Sequence, residues 1–251
     1  MVIERRGLRI AMVSAAILIV APLHLAHAQA VTFDLGQGGE AGTTGRIVQL
    51  TALITMLSLA PSLLVMVTAF TRIVIVLSLL RSALSAQGTP PNTVIIGLSL
   101  FLTFFVMQPT LQASWEQGIT PLMAGQVSEL DGLRASAEPF RGFMVAHTRP
   151  ADLTAFLEMA RLAPPSSPQA TPWRALIPAF MIGELRRGFE MGFLVYLPFL
   201  IIDLVVSSVL MSLGMMMLPP TTISLPFKLI FFVLIDGWQL VAGSLVRSFG
   251  G

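Results

Sequence analysis

The chain has 251 residues; 55% are hydrophobic, 11% are charged, and the mean hydropathy is +0.82. An ordinary soluble domain carries about 25% charged residues, so this composition excludes one and marks a membrane or membrane-complex protein. Cysteine is absent, which excludes a disulfide framework, thiol chemistry and thiolate metal sites.

The formal net charge of +2 is concentrated at the start of the chain. Arg5, Arg6 and Arg9 form a basic region, Ile10 to Ala21 is a short apolar run, and Ala26-His27-Ala28 is a small-residue cleavage pattern before Gln29. The pattern predicts a cleavable secretory signal over 1–28; the alternative is an uncleaved first anchor. Cleavage removes three of the 15 basic and one of the 13 acidic residues, leaving 12 of each. The mature chain is then neutral and has no basic stripe with interleaved aromatics, so nucleic acid is not an expected partner.

Residues 29–46 are rich in Gly and Thr without apolar periodicity, and predict a flexible extension. Ile47 to Leu80 is apolar apart from Arg72 and is interrupted by Pro61. One crossing needs ~20 residues, so the stretch predicts two helices broken near Pro61-Ser62, or one kinked helix. Pro90-Pro91 marks a turn. Val94 to Met107 is apolar but spans only about 21 Å at the ~1.5 Å helix rise, short for a hydrocarbon core of ~30 Å.

Gln108 to Arg187 is more polar. Phe140, Phe143, Met144 and His147 recur at i, i+3, i+4, i+7, and Leu153, Phe156, Leu157 and Ala160 repeat the pattern. Each predicts an amphipathic helix. Pro150 and Asp152 suit the second helix's first turn, and Arg161 its last. A proline-rich loop over 163–172 follows. Apolar segments then run over 173–192, 193–213 and 223–245, with a turn at Pro219-Pro220. The fold class is all-α: a helical hairpin over 47–109, a helical insertion over 110–187 and a second hairpin over 188–251.

Each apolar segment is defective as a solitary membrane helix. Arg72, Asp203, Asp236 and Lys228, the sole lysine, fall within them. A charge at mid-bilayer costs at least ~2.5 kcal/mol on insertion scales, so these side chains are expected to be buried against protein or counter-ions. Arg72 with Asp203, and Glu184 with Lys228 of the same or a neighbouring subunit, are the pairings considered. Gly183, Gly188, Gly192 and Gly214 would admit close helix approach.

The turn before Pro219 carries Met215, Met216 and Met217. Methionine is unbranched, polarizable and able to repack around irregular partners. Three at a helix end suggest a deformable apolar seal; ordinary core or lipid-facing residues are the alternative. No phosphate loop, catalytic constellation or metal-ligand cluster is present at useful spacing. His147, on an aromatic stripe, reads as packing. Neither an enzyme nor a cofactor is expected.

The segments PSLLVMVTAFTRIVIVLSLLRSAL (61–84), TPPNTVIIGLSLFLTFFVMQP (89–109), PAFMIGELRRGFEMGFLVYLPFLIIDLVVSSVLMSLG (178–214) and LGMMMLPPTTISLPFKLIFFVLIDGWQLVAGSL (213–245) resemble, in that order, the FliP family of type III secretion export-gate proteins. The resemblance covers nearly all of 47–250. It implies a pentameric ring of this chain joined by FliR and several FliQ copies, working beside other export-apparatus membrane proteins. Such a ring stands in the bacterial inner membrane at the flagellar basal body, largely facing the periplasm. Unfolded rod, hook and filament subunits pass through its pore, and other components and the proton-motive force supply the energy. By the family pattern, Met215, Met216 and Met217 match a gasket that closes the pore, and Glu184 and Lys228 match a charged pair joining neighbouring subunits. The 110–185 region matches the family's periplasmic part; Phe143 and Phe156, from the amphipathic stripes, are candidate subunit contacts. The signal, the extended mature N-terminus and Pro219-Pro220 favour the flagellar branch over the virulence branch. A small-solute transporter with a site near Arg72 and Asp203 is the alternative outside the family.

Overall fold

The computed structural model describes residues 50–51, 54–55, 58–59, 61–85, 88–215 and 217–250. The expected signal segment 1–28, the extension 29–46 and Met216 lie outside the described residues. The chain divides into two compact units, Met1–Met56 and Leu57–Gly251. In the first, the described residues are helical, and the Thr55 hydroxyl donates to the Thr51 carbonyl at 2.8 Å.

All regular structure in the second unit is helical among the described residues. Helices α1 (Pro61–Val67) and α2 (Phe70–Leu84) meet at a bend of 86°. Pro61 and Ser62 are themselves helical, the residue before Pro61 lies outside the described residues, and this break lies at Thr68-Ala69. Two hydroxyls answer carbonyls near it: Thr68 Oγ1 donates to Leu64 O at 2.5 Å and Thr71 Oγ1 to Val65 O at 2.8 Å. Supplying a side-chain donor is how a helix is broken without leaving buried acceptors unmet.

Helix α3 (Asn92–Ser114) passes through Pro109 and continues as a π-helical turn, Trp115–Ile119, into α4 (Thr120–Met123). The 32-residue run is about 48 Å long at the ~1.5 Å rise, which overturns the expectation of a segment too short to cross. Contacts with the next helix hold the extension beyond Pro109. Ser114 Oγ donates to Ser136 O at 2.7 Å. Gly118 lies so close that a Cβ would fall 1.9 Å from Ser136 Oγ.

Helix α5 (Glu129–His147) is capped by Ser128, whose hydroxyl accepts from Asp131 N at 3.2 Å; Met144 from its apolar stripe is fully buried. Helix α6 (Pro150–Met159) begins on Pro150, as its sequence predicts, and buries Leu157. Arg161 lies past its end with φ 53, not in its last turn. Helix α7 (Trp173–Ser212) is a single helix of 40 residues. Sequence positions 109/110 and 187/188, read as edges of an insertion, thus lie inside α3 and α7. Helices α8 (Pro220–Leu234) and α9 (Gly237–Arg247) are bent by 62°.

Helix α2 is the centre of the unit. Ala69, Ile73, Val76, Leu77, Leu80 and Leu84 follow helical spacing and are buried, against Ile95, Leu102 and Met107 of α3 and Phe199 of α7. Gly188 and Gly192 let α7 approach: a Cβ at Gly188 would sit 3.2 Å from Ile75 Cβ, and one at Gly192 3.1 Å from Leu79 Cβ. By length and apolarity α3–α4 and α7 can each cross a membrane, and the two bent pairs raise the number of spans to as many as four. Only 11% of the apolar window of α7 is buried, so most of its surface awaits lipid or protein.

Candidate functional site

The α7–α8 hairpin turns where Gly214 adopts φ +73, and nothing lies within 4 Å of the place a Cβ there would occupy. Gly214 therefore serves the turn, not the close packing expected of it. Gly214 N donates to Met211 O at 3.1 Å and Met215 N to Leu210 O at 3.0 Å. These bonds satisfy carbonyls that the end of α7 leaves free. Met215 is 43% and Met217 98% exposed, and Leu218 beside them 40%. Neither described methionine belongs to the protomer core. Pro219 and Pro220 then start α8, where the missing N–H groups cost no helical hydrogen bond.

Below this turn the apolar helices bury two ion pairs. Arg72 on α2 donates through Nε to Glu184 Oε2 at 2.9 Å and through Nη2 to Oε1. The forked guanidinium thereby engages both carboxylate oxygens. Its Nη1 donates to Ser248 O at 3.0 Å and Ser248 Oγ at 2.9 Å, and its Cζ lies 3.7 Å from the centre of the Phe249 ring. Both charges are essentially fully buried. One junction thus ties α2, α7 and the segment after α9.

The second pair joins α7 to α8. Lys228 Nζ donates to Asp203 Oδ2 at 2.7 Å, Ala83 O at 2.9 Å and Ser85 Oγ at 3.0 Å. Three acceptors satisfy the three N–H bonds of the ammonium. Ala83 lies in the last turn of α2, whose free carbonyls and dipole favour a cation. Ser224 Oγ donates to Asp203 Oδ1 at 2.5 Å.

The structure therefore brings together four of the charges singled out from the sequence, in different partnerships. Within the chain Arg72 does not meet Asp203, and Glu184 does not meet Lys228: the partners are Glu184 and Asp203 respectively. Asp203 is 21% exposed. Asp236, expected to be buried, is exposed. It occupies the α8–α9 break with φ 55, outside the helical spacing that would have placed it on the face of Lys228. Phe143 packs inside its own protomer, with ring centres 4.5 Å from His147, 5.9 Å from Phe180 and 6.0 Å from Phe249. Phe156 is half-buried on α6.

Sequence reasoning missed Ser224, Ser248 and Phe249. Ser224 had a signal, the i, i+4 spacing to Lys228 on one helix face; Ser248 and Phe249 had none. Among the described residues no group of three His, Asp or Glu side chains could hold a metal ion. A groove lined only by apolar residues, including Ile201, Val205, Val209, Ile223 and Phe227, opens between α7 and α8.

The family described as the FliP family matches residues 53–245. A Caulobacter vibrioides protein named flagellar biosynthetic protein FliP is 51% identical over 245 residues, covering 98% of this chain and 91% of its own length. One of the same name from Rhizobium meliloti is 53% identical over 205 residues, 81% of this chain and 84% of that protein. One from Bacillus subtilis, also so named, is 50% identical over 202 residues, 80% and 91%.

Proposed function

This chain belongs to the FliP family, and we propose that it is a core, non-catalytic subunit of the flagellar type III protein export gate in the bacterial inner membrane. Five copies form a ring with FliR and FliQ, beside the other membrane proteins of the export apparatus. Unfolded rod, hook and filament subunits pass through the ring, whose inserted helices face the periplasm. Met215, Met216 and Met217 of each copy close the pore. Glu184 and Lys228 stand at or near the contact between neighbouring copies, with Phe143 and Phe156 contributing to it.

The observation that carries this reading is the methionine turn. A polar side chain would be the ordinary occupant of an exposed turn, yet Met217 is 98% exposed and Met215 43%. Large apolar side chains displayed in this way call for other apolar surface, which matching turns of neighbouring copies supply. Thioethers offer ions no charged or strongly polar ligands, and they deform around a passing chain whatever its sequence.

The test replaces all three methionines by alanine or glycine in the assembled complex. Assembly is retained and ion leakage through the membrane rises. Unchanged conductance would reject the seal. In cells, an in-frame deletion should abolish swimming and the appearance of hook and filament proteins in the medium, with both restored by the intact gene; normal motility would reject the export role.

A further inference from the structure

The export reading leaves His147 unused. The half-buried ring has Nδ1 2.8 Å from the Phe143 carbonyl oxygen and Nε2 3.2 Å from the Phe249 carbonyl oxygen. Carbonyl oxygens only accept, and a neutral imidazole has a single N–H. In either neutral tautomer one ring nitrogen therefore turns a lone pair toward an oxygen. Only the imidazolium donates to both. We propose that His147 is a proton-operated latch: protonation lets the ring donate to α5 and to the segment around Phe249 at once, and deprotonation costs one of these two bonds and loosens the segment.

A cavity of about 400 Å³, lined by Phe105, Pro109, Thr110, Val246 and Phe249 among others, opens beside His147 and gives water a route to it. The part of α3 lining this cavity carries no charge. From α7 the nearest acidic group is Glu184, whose two oxygens are both engaged by Arg72 of α2, and Arg187 follows on the same helix. Glu184 and Arg72 largely cancel through their ion pair, so His147 does not face a bare cation from α2. Arg247 of α9 folds its guanidinium back to Gly243, and Arg149 follows His147 by two residues.

The latch acts on more than the tail. Ser248 accepts from Arg72 and Phe249 covers it, so loosening the segment uncovers the ion pair that joins α2 to α7. Histidine is the side chain that ordinarily changes charge between pH 5 and 8. Falling pH should therefore tighten the α2–α7 junction and rising pH loosen it. This property belongs to the single protomer and stands or falls independently of pore formation.

The chain has no cysteine, so Gly250→Cys supplies a unique thiol for a nitroxide label next to the latch. Gly142→Cys, on α5 with open space around it, supplies the control. Spectra of the full-length chain in detergent micelles are compared at about pH 5.5 and about pH 8, on either side of the ordinary histidine transition. The mobile fraction at 250 should grow as pH rises while the label at 142 stays constant, and the response should vanish in His147→Gln, which is neutral at both pH values. Equal mobility at both pH values, a parallel change at both labels, or an unchanged response in His147→Gln would each overturn the latch. The first comparison keeps His147 in place, so it decides even where the Gln variant does not fold.

Discussion

At the scale of single residues, the two ion pairs differ in what surrounds them. Arg72 and Glu184 are shut off from water, whereas Asp203 is 21% exposed. Removing one member of a fully buried pair strands the other and costs about 3–5 kcal/mol. Glu184→Gln or Arg72→Met should therefore destabilise the protomer by roughly that amount, read as a lower denaturant midpoint for loss of the protease-resistant core. Arg72→Met with Glu184→Met should cost clearly less than the two single changes together; full additivity would mean that the pair is not coupled. Asp203→Asn should be milder than Glu184→Gln, because the buried Lys228 ammonium keeps its bonds to Ala83 O and Ser85 Oγ. The charges were legible in the sequence, since a charge in an apolar run is conspicuous. Their partners were not. Arg72 and Glu184 stand 112 positions apart, and helical periodicity fixes which face a residue occupies, not which helix that face meets.

At the scale of the element, proline was a good guide to turns and a poor guide to breaks. The turns at Pro90-Pro91 and Pro219-Pro220 fall between helices as read. Pro109, Pro139, Pro178, Pro198 and Pro226 instead lie inside helices, where neighbouring packing sustains the helix across the missing N–H. The sharpest bend, at Thr68-Ala69, has no proline and depends on hydroxyls, a signal that ordinary helical threonine hides. Thr71→Val should therefore leave Val65 O without its donor and cost about 1–3 kcal/mol, whereas Ser208→Ala, whose hydroxyl bonds to Leu204 O on an exposed helix face, should change stability little. Equal effects would remove the special role of the bend. The α2–α7 contact makes a second demand. Leucine at Gly188 or Gly192 would drive Ile75 or Leu79 out of place, because the tight contacts reach their Cβ atoms and these move only with the backbone. Such variants should lose the protease-resistant core, while leucine at Gly97, open to space, should keep it.

At the scale of the whole molecule, the described part of the unit Leu57–Gly251 packs chiefly about α2, with a second buried cluster of Met144, Leu176 and Phe180, and its helices turn much of their apolar surface outward. Phe189 is 57%, Phe193 59% and Leu194 65% exposed on a helix long enough to cross a membrane. The composition made a membrane complex legible, but a sequence cannot divide such surface between lipid and neighbouring subunits. The same ambiguity attends Glu184. Its proposed role lies at a contact between subunits, yet in the protomer both its oxygens engage Arg72. Charge reversal separates the two roles. If Glu184 acts chiefly inside the protomer, Glu184→Arg sets two cations side by side in a buried site, and the protein fails to accumulate before any ring can form. Arg72→Glu combined with Glu184→Arg restores opposite charges and should recover part of both protomer level and ring, only part because the bonds from Arg72 to Ser248 are lost. Protomer level is read by quantitative blotting of membranes, and the ring by native electrophoresis of the solubilised complex. A Glu184→Arg chain that accumulates normally and fails only to assemble, without rescue by the exchanged charge at 72, would move the role of Glu184 to the neighbouring subunit and leave Arg72 as its tether within the chain.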